Sequence, residues 1–187
     1  ADQFFETVLN KDPKNARAYL GKLMIAFGVT QFEELDDVQR PLNGNNNYEK
    51  IMRFADDEMR ESVKRCNDIV VRRCEETRKK DLYENALEIM ENATTEEMFE
   101  NAGYMFLEVK EYSDAKQKSD ECFEKAELAR IREDESKKEQ YYNSACAILD
   151  SKSTELSSFE YAVQIFESLD GWRDSREKAH LGRQRIT

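Results

Sequence analysis

The chain has 187 residues, a formal net charge of −11 and a sequence pI near 4.8. Glycine and proline are scarce, at 6 and 2 residues, while Asp, Glu, Lys and Arg make up 37% of the chain, a composition typical of solvated helices rather than sheets. We therefore predict an all-α protein. The acidic charge opposes binding to nucleic acid, because phosphate backbones attract Lys and Arg.

The first predicted helix follows Asp12-Pro13. Aspartate is a favoured N-cap and proline fits the first helical position, so we expect a helix from this dipeptide to about Phe27. Residues 30–80 fit no repeat and contain a loop-forming cluster, Pro41 to Asn47. This cluster is predicted to be a surface turn, with a contact loop as the alternative, since loops held by rigid elements often carry function.

Long helices are predicted after this loop. Apolar residues recur at helical spacing without Gly or Pro, so we expect one helix from Tyr48 to near Lys79. Farther on, Thr94-Thr95-Glu96-Glu97 fits a capping box in which Thr94 caps a helix that runs to about Lys110. The highly charged segment 131–140 contains no helix breaker and is predicted to be a solvated helix.

An internal repeat dominates the second half of the sequence. The pattern aromatic-x-x-Ala-x-x-apolar-apolar occurs four times, in two pairs that lie about 60 residues apart. The four copies begin at Tyr83, Phe99, Tyr142 and Phe159, with their small residues at Ala86, Ala102, Ala145 and Ala162. Such spacing indicates a buried helix stripe that a neighbouring helix approaches closely. We predict repeat units over about 81–140 and 141–187.

The match between the two units continues past each stripe into a turn. In the first unit it comprises Val109, Tyr112, Asp114, Ala115 and Lys118, and in the second Leu169, Trp172, Asp174, Ser175 and Lys178. This pattern predicts that an aromatic ring fills the core while a short polar side chain caps the next helix.

The residue types that would support chemistry are few. The four cysteines form no Cys-x-x-Cys pair and His180 is the only histidine, which argues against a zinc site; the cysteines are Cys66, Cys74, Cys122 and Cys146. Free thiols indicate a reducing, cytoplasmic compartment. The carboxylates lack the Glu-x-x-His pairs of di-metal bundles, and Asn43-Gly44-Asn45 lacks P-loop spacing. We predict no catalytic, cofactor-binding or metal-binding residue, and no membrane insertion, because no apolar run spans a bilayer.

The repeats resemble the tetratricopeptide repeat (TPR) family, whose 34-residue helix pair carries Leu-Gly in its first helix, Ala-x-x-x-Phe-x-x-Ala in its second and Pro at the next start. The matching residues are Ala1, Phe5, Val8, Pro13 and Leu20-Gly21 at the start, Ala102, Phe106, Val109 and Asp114 in the middle, and Ala162, Phe166, Leu169, Asp174 and Leu181-Gly182 at the end. The resemblance implies a TPR-like α-α superhelix, or solenoid, of antiparallel helix pairs in a single domain over 1–187. Arg17 stands where the family has Trp, and the spacing of about 60 residues implies some unusually long helices.

The sequence opens on a second helix of the repeat and ends on a first helix. We therefore expect a fragment of a larger bacterial-type protein, because solenoids need neighbours or polar caps at their ends. Exposed apolar side chains are then expected near Phe4, Phe5 and Ile186. Such open repeat ends would permit self-association.

Two functions follow from the resemblance and one remains as a minor alternative. The first is a non-catalytic protein–protein interaction scaffold that binds a partner protein or peptide in a helical-repeat groove. The second is a structural spacer or oligomerisation segment of a multi-domain protein, with no ligand in the groove. The third is an enzyme with an unrecognised site. The irregular register assigns no individual partner-binding residue, so these residues and the identity of the partner stay unknown.

Overall fold

The structure, a computed structural model, describes residues 2–151 and 155–186. Regular structure in these residues is helical and no strand occurs among them, which confirms the all-α prediction. The α-helices are α1 (Asp2–Lys11), α2 (Ala16–Phe27), α3 (Asn46–Phe54), α4 (Asp57–Asn92), α5 (Glu96–Glu108), α6 (Ala115–Asp150), α7 (Leu156–Ser168) and α8 (Ser175–Ile186). Two 3-10 helices, Phe32–Asp37 and Leu42–Gly44, lie between α2 and α3.

The chain forms two compact units, Ala1–Glu84 and Asn85–Thr187. Helix α4 begins in the first unit and ends in the second. The single TPR-like domain over 1–187 stays a prediction. Ala1, the first residue of the TPR match, lies outside the described residues.

Helix α2 begins later than the sequence predicts. Asn15 is its N-cap, and the Asn15 side chain accepts a hydrogen bond from the Ala18 N–H at 3.0 Å. Asp12 instead accepts from the Lys14 N–H at 3.2 Å, which closes a short turn around Pro13. The assignment of Asp12-Pro13 as the helix start is therefore wrong, because a second capping residue follows within one turn.

The predicted helix from Tyr48 to near Lys79 is interrupted at Ala55, whose ψ of 154° is extended. Asp56 accepts from the Met59 N–H at 2.9 Å and so starts a new helix. Arg60 donates to the carbonyl oxygens of Met52 and Ala55, at 3.1 and 2.7 Å, at the end of α3. A short carboxylate that competes for backbone N–H groups thus ends one helix and begins the next without Gly or Pro.

The core of the first unit includes residues that the sequence assigns to a surface turn. Leu42 is fully buried, and Asn67 of α4 is 5% exposed. The Asn67 Oδ1 accepts from the N–H groups of Leu42 at 2.8 Å and Asn43 at 3.1 Å. The predicted surface turn around residues 41–47 is therefore correct only for its exposed residues, such as Asn43 and Gly44.

In the second unit, Thr95 rather than Thr94 is the N-cap of α5. The Thr95 Oγ1 accepts from the Met98 N–H at 3.3 Å. The helix ends at Glu108, two positions before the predicted Lys110. The predicted capping box of Thr94 and Glu97 is therefore wrong, because with Thr95 as the N-cap the third helical position is Met98, which has no carboxylate to reach back.

The turns that join α5 to α6 and α7 to α8 share the geometry of their second half. Tyr112 donates its N–H to the Val109 carbonyl at 2.7 Å, and Trp172 donates to the Leu169 carbonyl at 3.0 Å. The residue after each aromatic has a positive φ: Ser113 (50°) and Arg173 (53°). The two copies therefore match from the aromatic residue onward, whereas the residues before it differ, because Asp170 and Gly171 have positive φ (46° and 81°) and the equivalent Lys110 and Glu111 do not.

The capping role predicted for Asp114 in these turns is wrong. Asp114 precedes α6 but makes no side-chain capping hydrogen bond; its Oδ2 lies 3.9 Å from Lys118 Nζ. In the second copy, the carboxylate of Asp174 accepts from the hydroxyl of Tyr142 on α6. The prediction for the aromatic residue is confirmed for Trp172, which packs against the core formed by α6, α7 and α8, with its ring centroid 5.7 Å from that of Tyr142.

Both Leu-Gly pairs lie where paired helices approach closely. A Cβ atom at Gly21 of α2 would collide with the ring of Phe5 in α1. A Cβ atom at Gly182 of α8 would lie 2.6 Å from Val163 Cγ2 in α7. Real atoms do not approach so closely, so glycine is required for this packing.

Two of the three apolar residues predicted to be exposed near the ends are half-buried. Phe4 is 66% exposed, as predicted. Phe5 is half-buried against Gly21, and Ile186 is half-buried against the core of α7 and α8. Intramolecular helix pairing thus covers these two side chains.

Candidate interaction surface

The residue types that could bind a metal or take part in catalysis are dispersed across the described part of the chain. No group of three His, Cys, Asp or Glu side chains within it could hold a metal ion. His180 is exposed, with its Nε2 atom 3.2 Å from the Gln184 side chain. No helix among the described ranges is long and apolar enough to cross a membrane.

The four cysteines are free, as predicted. Cys66 and Cys122 are buried, whereas Cys74 and Cys146 are partly buried. Burial raises the pKa of the Cys66 thiol to about 12, with a further contribution from the carboxylate of Asp36. Burial also raises the pKa of the Cys122 thiol. Both buried thiols are therefore protonated at neutral pH and are poor nucleophiles.

The repeated aromatic-alanine stripes form core, as the sequence predicts. Their four small residues are all fully buried: Ala86, Ala102, Ala145 and Ala162. Phe106 and Phe166, which follow in the two TPR-like copies, are also fully buried. These aromatic residues are consequently unable to contact a partner.

A different set of apolar side chains faces solvent on α5 and α6, and we call it the apolar stripe: Tyr104, Phe123, Leu128 and Ile131. Tyr104, Leu128 and Ile131 are 58%, 61% and 47% exposed. Phe123 is half-buried, and its ring meets that of Tyr104 edge to face with centroids 5.2 Å apart. Contiguous exposed apolar side chains of this kind mark interaction sites more often than isolated ones do.

Gly103 allows α5 to approach α6 closely beneath the apolar stripe. A Cβ atom at Gly103 would lie 3.1 Å from Phe123 Cζ and 3.2 Å from Cys122 Cβ. The Gly103 carbonyl accepts a hydrogen bond from the buried Ser119 hydroxyl at 2.9 Å. The two helices are therefore in close contact beneath Tyr104 and Phe123, which holds both rings in place.

One row of side chains on α6 runs from the apolar stripe to the part of α6 that packs against α7 and α8. Residues at spacings of three or four lie on one side of a helix. The row that starts at Phe123 comprises Phe123, Glu127, Ile131, Asp134, Lys138, Tyr142, Ala145 and Leu149. Its last three members pack against α7 and α8, whereas residues 130–141 are all exposed. This exposure confirms the predicted solvated helix over 131–140, where Lys137 pairs with Glu133 at 2.7 Å. The same side of α6 is thus covered by α7 and α8 at its later end and exposed to solvent over residues 130–141.

Acidic side chains surround the open end. A depression of about 820 Å³ is lined by Phe123 and Leu128 together with three carboxylates, which we call the acidic rim: Asp120, Glu124 and Glu127. Arg130 donates to both Glu127 oxygens, at 2.8 and 2.5 Å, and lowers the pKa of this carboxyl group. Asp120 and Glu124 make no ion pair with the described residues, so negative charge remains available beside the apolar stripe.

Leu128 also borders a second, smaller depression. This depression of about 220 Å³ lies between the start of α5 and α6, and Lys125 and Arg132 line it with Phe99. Leu128 is therefore a ridge with carboxylates on one side and cations on the other. Such a polar surround with an apolar centre resembles the organisation of protein interfaces.

In the first unit, a depression of about 730 Å³ beside Phe27 and Val38 is the alternative surface. Its cation, Arg40, lies 4.7 Å from the Phe27 ring centroid and donates to the Ala26 carbonyl at 3.2 Å. These intramolecular contacts occupy the guanidinium group. The apolar stripe offers more unpaired apolar and charged groups and is the stronger candidate.

Sequence reasoning did not identify this surface. Charged residues outnumber apolar ones in the stretch of α6 that contains Phe123, Leu128 and Ile131, so the helical spacing of the apolar residues is hard to recognise. The spacing of Phe123, Glu127 and Ile131 could have indicated one helix face. Exposure depends on where α5 and α7 end, which the pattern does not specify.

No family model, no curated protein and no solved structure matches this chain. The resemblance to TPR proteins consequently stays a prediction from the sequence.

Proposed function

We propose that this chain is a non-catalytic protein–protein interaction scaffold with a TPR-like arrangement of helix pairs, which binds a partner protein through the apolar stripe. The observation that carries the proposal is the solvent exposure of Tyr104, Leu128 and Ile131. Phe123 connects them, because its ring contacts Tyr104 and it lines one depression with Leu128. Exposed aromatic and aliphatic side chains on a rigid support are typical anchors of a protein interface.

The helix pairs support the TPR-like part of the proposal. The turns after α5 and α7 repeat one hydrogen-bonding pattern, and glycines bring α1 close to α2 and α8 close to α7. Repeated helix pairs present side chains on a continuous surface, which is how solenoids bind extended partners. The free thiols favour a reducing compartment, as in the cytoplasm.

Photo-crosslinking at matched positions tests the binding function. A photoreactive residue replaces Leu128 in one variant of the full chain and Leu181 of α8 in the other, because these side chains are similarly exposed, at 61% and 53%. In cells of the native host, we expect a discrete protein adduct from position 128 that is absent from position 181. Equal labelling from both positions, or no adduct at position 128, would contradict the proposal.

A structural spacer is the second candidate, and α6 favours it. This helix has 36 residues, which corresponds to a length of about 54 Å at 1.5 Å per residue. Its exposed middle is stabilised by local ion pairs such as Glu133–Lys137. If position 128 yields no adduct, the spacer becomes the better reading; an adduct with a second copy of the chain would instead favour the oligomerisation segment.

A further inference from the structure

We infer that the apolar stripe binds a basic amphipathic helix, meaning a partner segment with apolar residues on one side and Lys or Arg beside them. This inference rests on the proposed function and specifies the partner. Three properties of α6 support it: the packing of helices against its row of side chains, the length of the exposed part of that row, and the charged residues beside it.

The shape of the partner follows from the row of α6. At one end of the row, Tyr142, Ala145 and Leu149 pack against α7 and α8, so this side of α6 already accepts helices. Ile131 continues the same row into solvent, and Phe123, farther along the row, is half-buried. Side chains at spacings of three and four form ridges and grooves that receive those of another helix. A helical partner segment would therefore repeat, on the exposed part of the row, the packing that α7 and α8 make on its later part.

The open part of the row limits the length of that segment. From Phe123 to Lys138 the helix rises by about 22 Å, at 1.5 Å per residue. A partner helix of about four turns would cover this distance. Apolar side chains of the partner would contact Phe123, Leu128 and Ile131, which are concentrated in the first half of the open part.

The charge of the partner follows from the carboxylates around the stripe. Asp120 and Glu124 border the depression beside Phe123, and Asp134 and Glu135 follow Ile131 along the helix. Arg130 pairs with Glu127 and also interacts electrostatically with Asp134, and Lys125 and Arg132 lie on the other side of Leu128. The unpaired negative charge is therefore that of Asp120 and Glu124, on one side of the stripe. Complementary charges speed association and select partners, so Lys and Arg should flank the partner's apolar face.

Binding of designed peptides to the full chain tests this inference. The probe is an 18-residue peptide with Leu at helical positions i, i+3, i+4 and i+7 and Lys elsewhere, labelled for fluorescence anisotropy. One comparison peptide replaces every Lys by Glu, and another has the same composition in scrambled order. We expect the Leu–Lys peptide to bind tightest, with an affinity that falls as salt rises, since screening weakens exposed charge pairs.

Matched variants locate the binding site. We expect Leu128→Ser with Ile131→Ser, and separately Glu124→Lys, to weaken binding of the Leu–Lys peptide by about tenfold or more, as loss of central interface residues does. The control variants Leu181→Ser and Glu160→Lys change exposed positions on α8 and α7 and should alter affinity by less than about twofold. All four variants affect exposed side chains, and circular dichroism verifies that helix content is unchanged.

Each contrary result has a distinct meaning. Equal weakening by stripe and control variants would overturn the assignment of the site, and equal binding of the Leu–Glu peptide would overturn the basic charge. Tighter binding to vesicles of phosphatidylserine and phosphatidylcholine than to the peptide would replace the protein helix by a membrane. Absence of peptide binding would overturn the inference, yet an adduct at Leu128 in the crosslinking experiment would still support the proposed function.

Discussion

Replacement of Asn67 by alanine should destabilise the first unit more than most single substitutions. The side-chain oxygen of Asn67 accepts from the backbone N–H groups of Leu42 and Asn43, at 2.8 and 3.1 Å. Asn67 is 5% exposed and Leu42 is fully buried. Alanine removes the acceptor and leaves the Leu42 N–H in a site from which water is excluded.

The magnitude follows from these two hydrogen bonds. A buried donor without a partner costs about 1–3 kcal/mol, and this cost applies to the Leu42 N–H in full. The Asn43 N–H is partly buried, so solvent can replace part of its lost bond. We therefore expect Asn67→Ala to lower the free energy of unfolding of this unit by about 2–4 kcal/mol.

The assay should report on the first unit alone, because the chain contains a second compact unit. Amide hydrogen exchange, measured residue by residue, meets this need. In Asn67→Ala, exchange at Leu42 and Asn43 should accelerate more than exchange in α5 or α7. Asn67→Asp retains oxygen acceptors and should keep the Leu42 amide better protected than alanine does. The matched control is Asp68→Ala, at the exposed neighbouring position, with an expected change within about 0.5 kcal/mol.

Two outcomes would refute this reasoning. One is a change below about 0.5 kcal/mol for Asn67→Ala, which is the range of an ordinary surface substitution. The other is unaltered protection of the Leu42 amide despite loss of the acceptor. Either result would mean that the segment around Leu42 is held by packing rather than by the Asn67 side chain.

Three further predictions concern the second unit and the thiols. Ser175→Ala should leave stability unchanged or raise it by up to about 2 kcal/mol, because the buried hydroxyl has no hydrogen-bond partner among the described residues. Ser119→Ala should cost about 1 kcal/mol, since its hydroxyl donates to a buried carbonyl. Urea unfolding followed by the fluorescence of the single tryptophan compares the two variants, and a larger loss for Ser175→Ala would contradict the prediction. Gly182→Ala should destabilise by about 1–3 kcal/mol through its collision with α7. Gly44→Ala should remain within about 0.5 kcal/mol, because apart from its own local backbone no described atom lies within 4 Å of the added Cβ. Equal melting temperatures in differential scanning calorimetry would disprove this difference. Iodoacetamide at pH 8 should modify Cys66 much more slowly in the native chain than in urea, because burial raises the thiol pKa to about 12 and keeps the thiolate scarce. Peptide mass spectrometry measures both rates, and similar values would show that the thiol is accessible.

The repeat was predictable from the sequence because it depends on local spacing. Ala102 and Ala162 occupy equivalent positions in α5 and α7, and both are fully buried. The turns at Tyr112 and Trp172 likewise share their hydrogen bonds. A stripe that recurs every three to four residues fixes which side of a helix is buried, and this information is contained within a few turns.

The helix boundaries were less predictable because several residues compete for the same backbone groups. Asp12 and Asn15 are both good caps, and the choice between them depends on which N–H each side chain reaches. The break at Ala55 depends on Asp56 and on Arg60, whose guanidinium satisfies the carbonyl groups at the end of α3. Sequence spacing shows that these residues are present but leaves the outcome of their competition open.

The candidate surface was missed for a related reason. Phe123 and Leu128 have ordinary helical spacing in α6, and the sequence alone does not tell a buried row from an exposed one. Their exposure arises because α7 and α8 cover only the later part of α6. Tertiary coverage, rather than any residue type, therefore distinguishes the surface from the core.

The shared helix α6 also restricts how this sequence can change in length during evolution. Insertions in loops are usually tolerated, but residues 130–141 connect the α5 contact to the α7–α8 contact within one continuous helix. Each added residue rotates everything beyond it by about 100°. Two extra residues would turn α7 and α8 by about 200° away from the row of Phe123, whereas seven would restore their orientation to within about 20°. Related sequences that differ in length here should therefore differ by about seven or eleven residues, which keep the orientation to within about 20°.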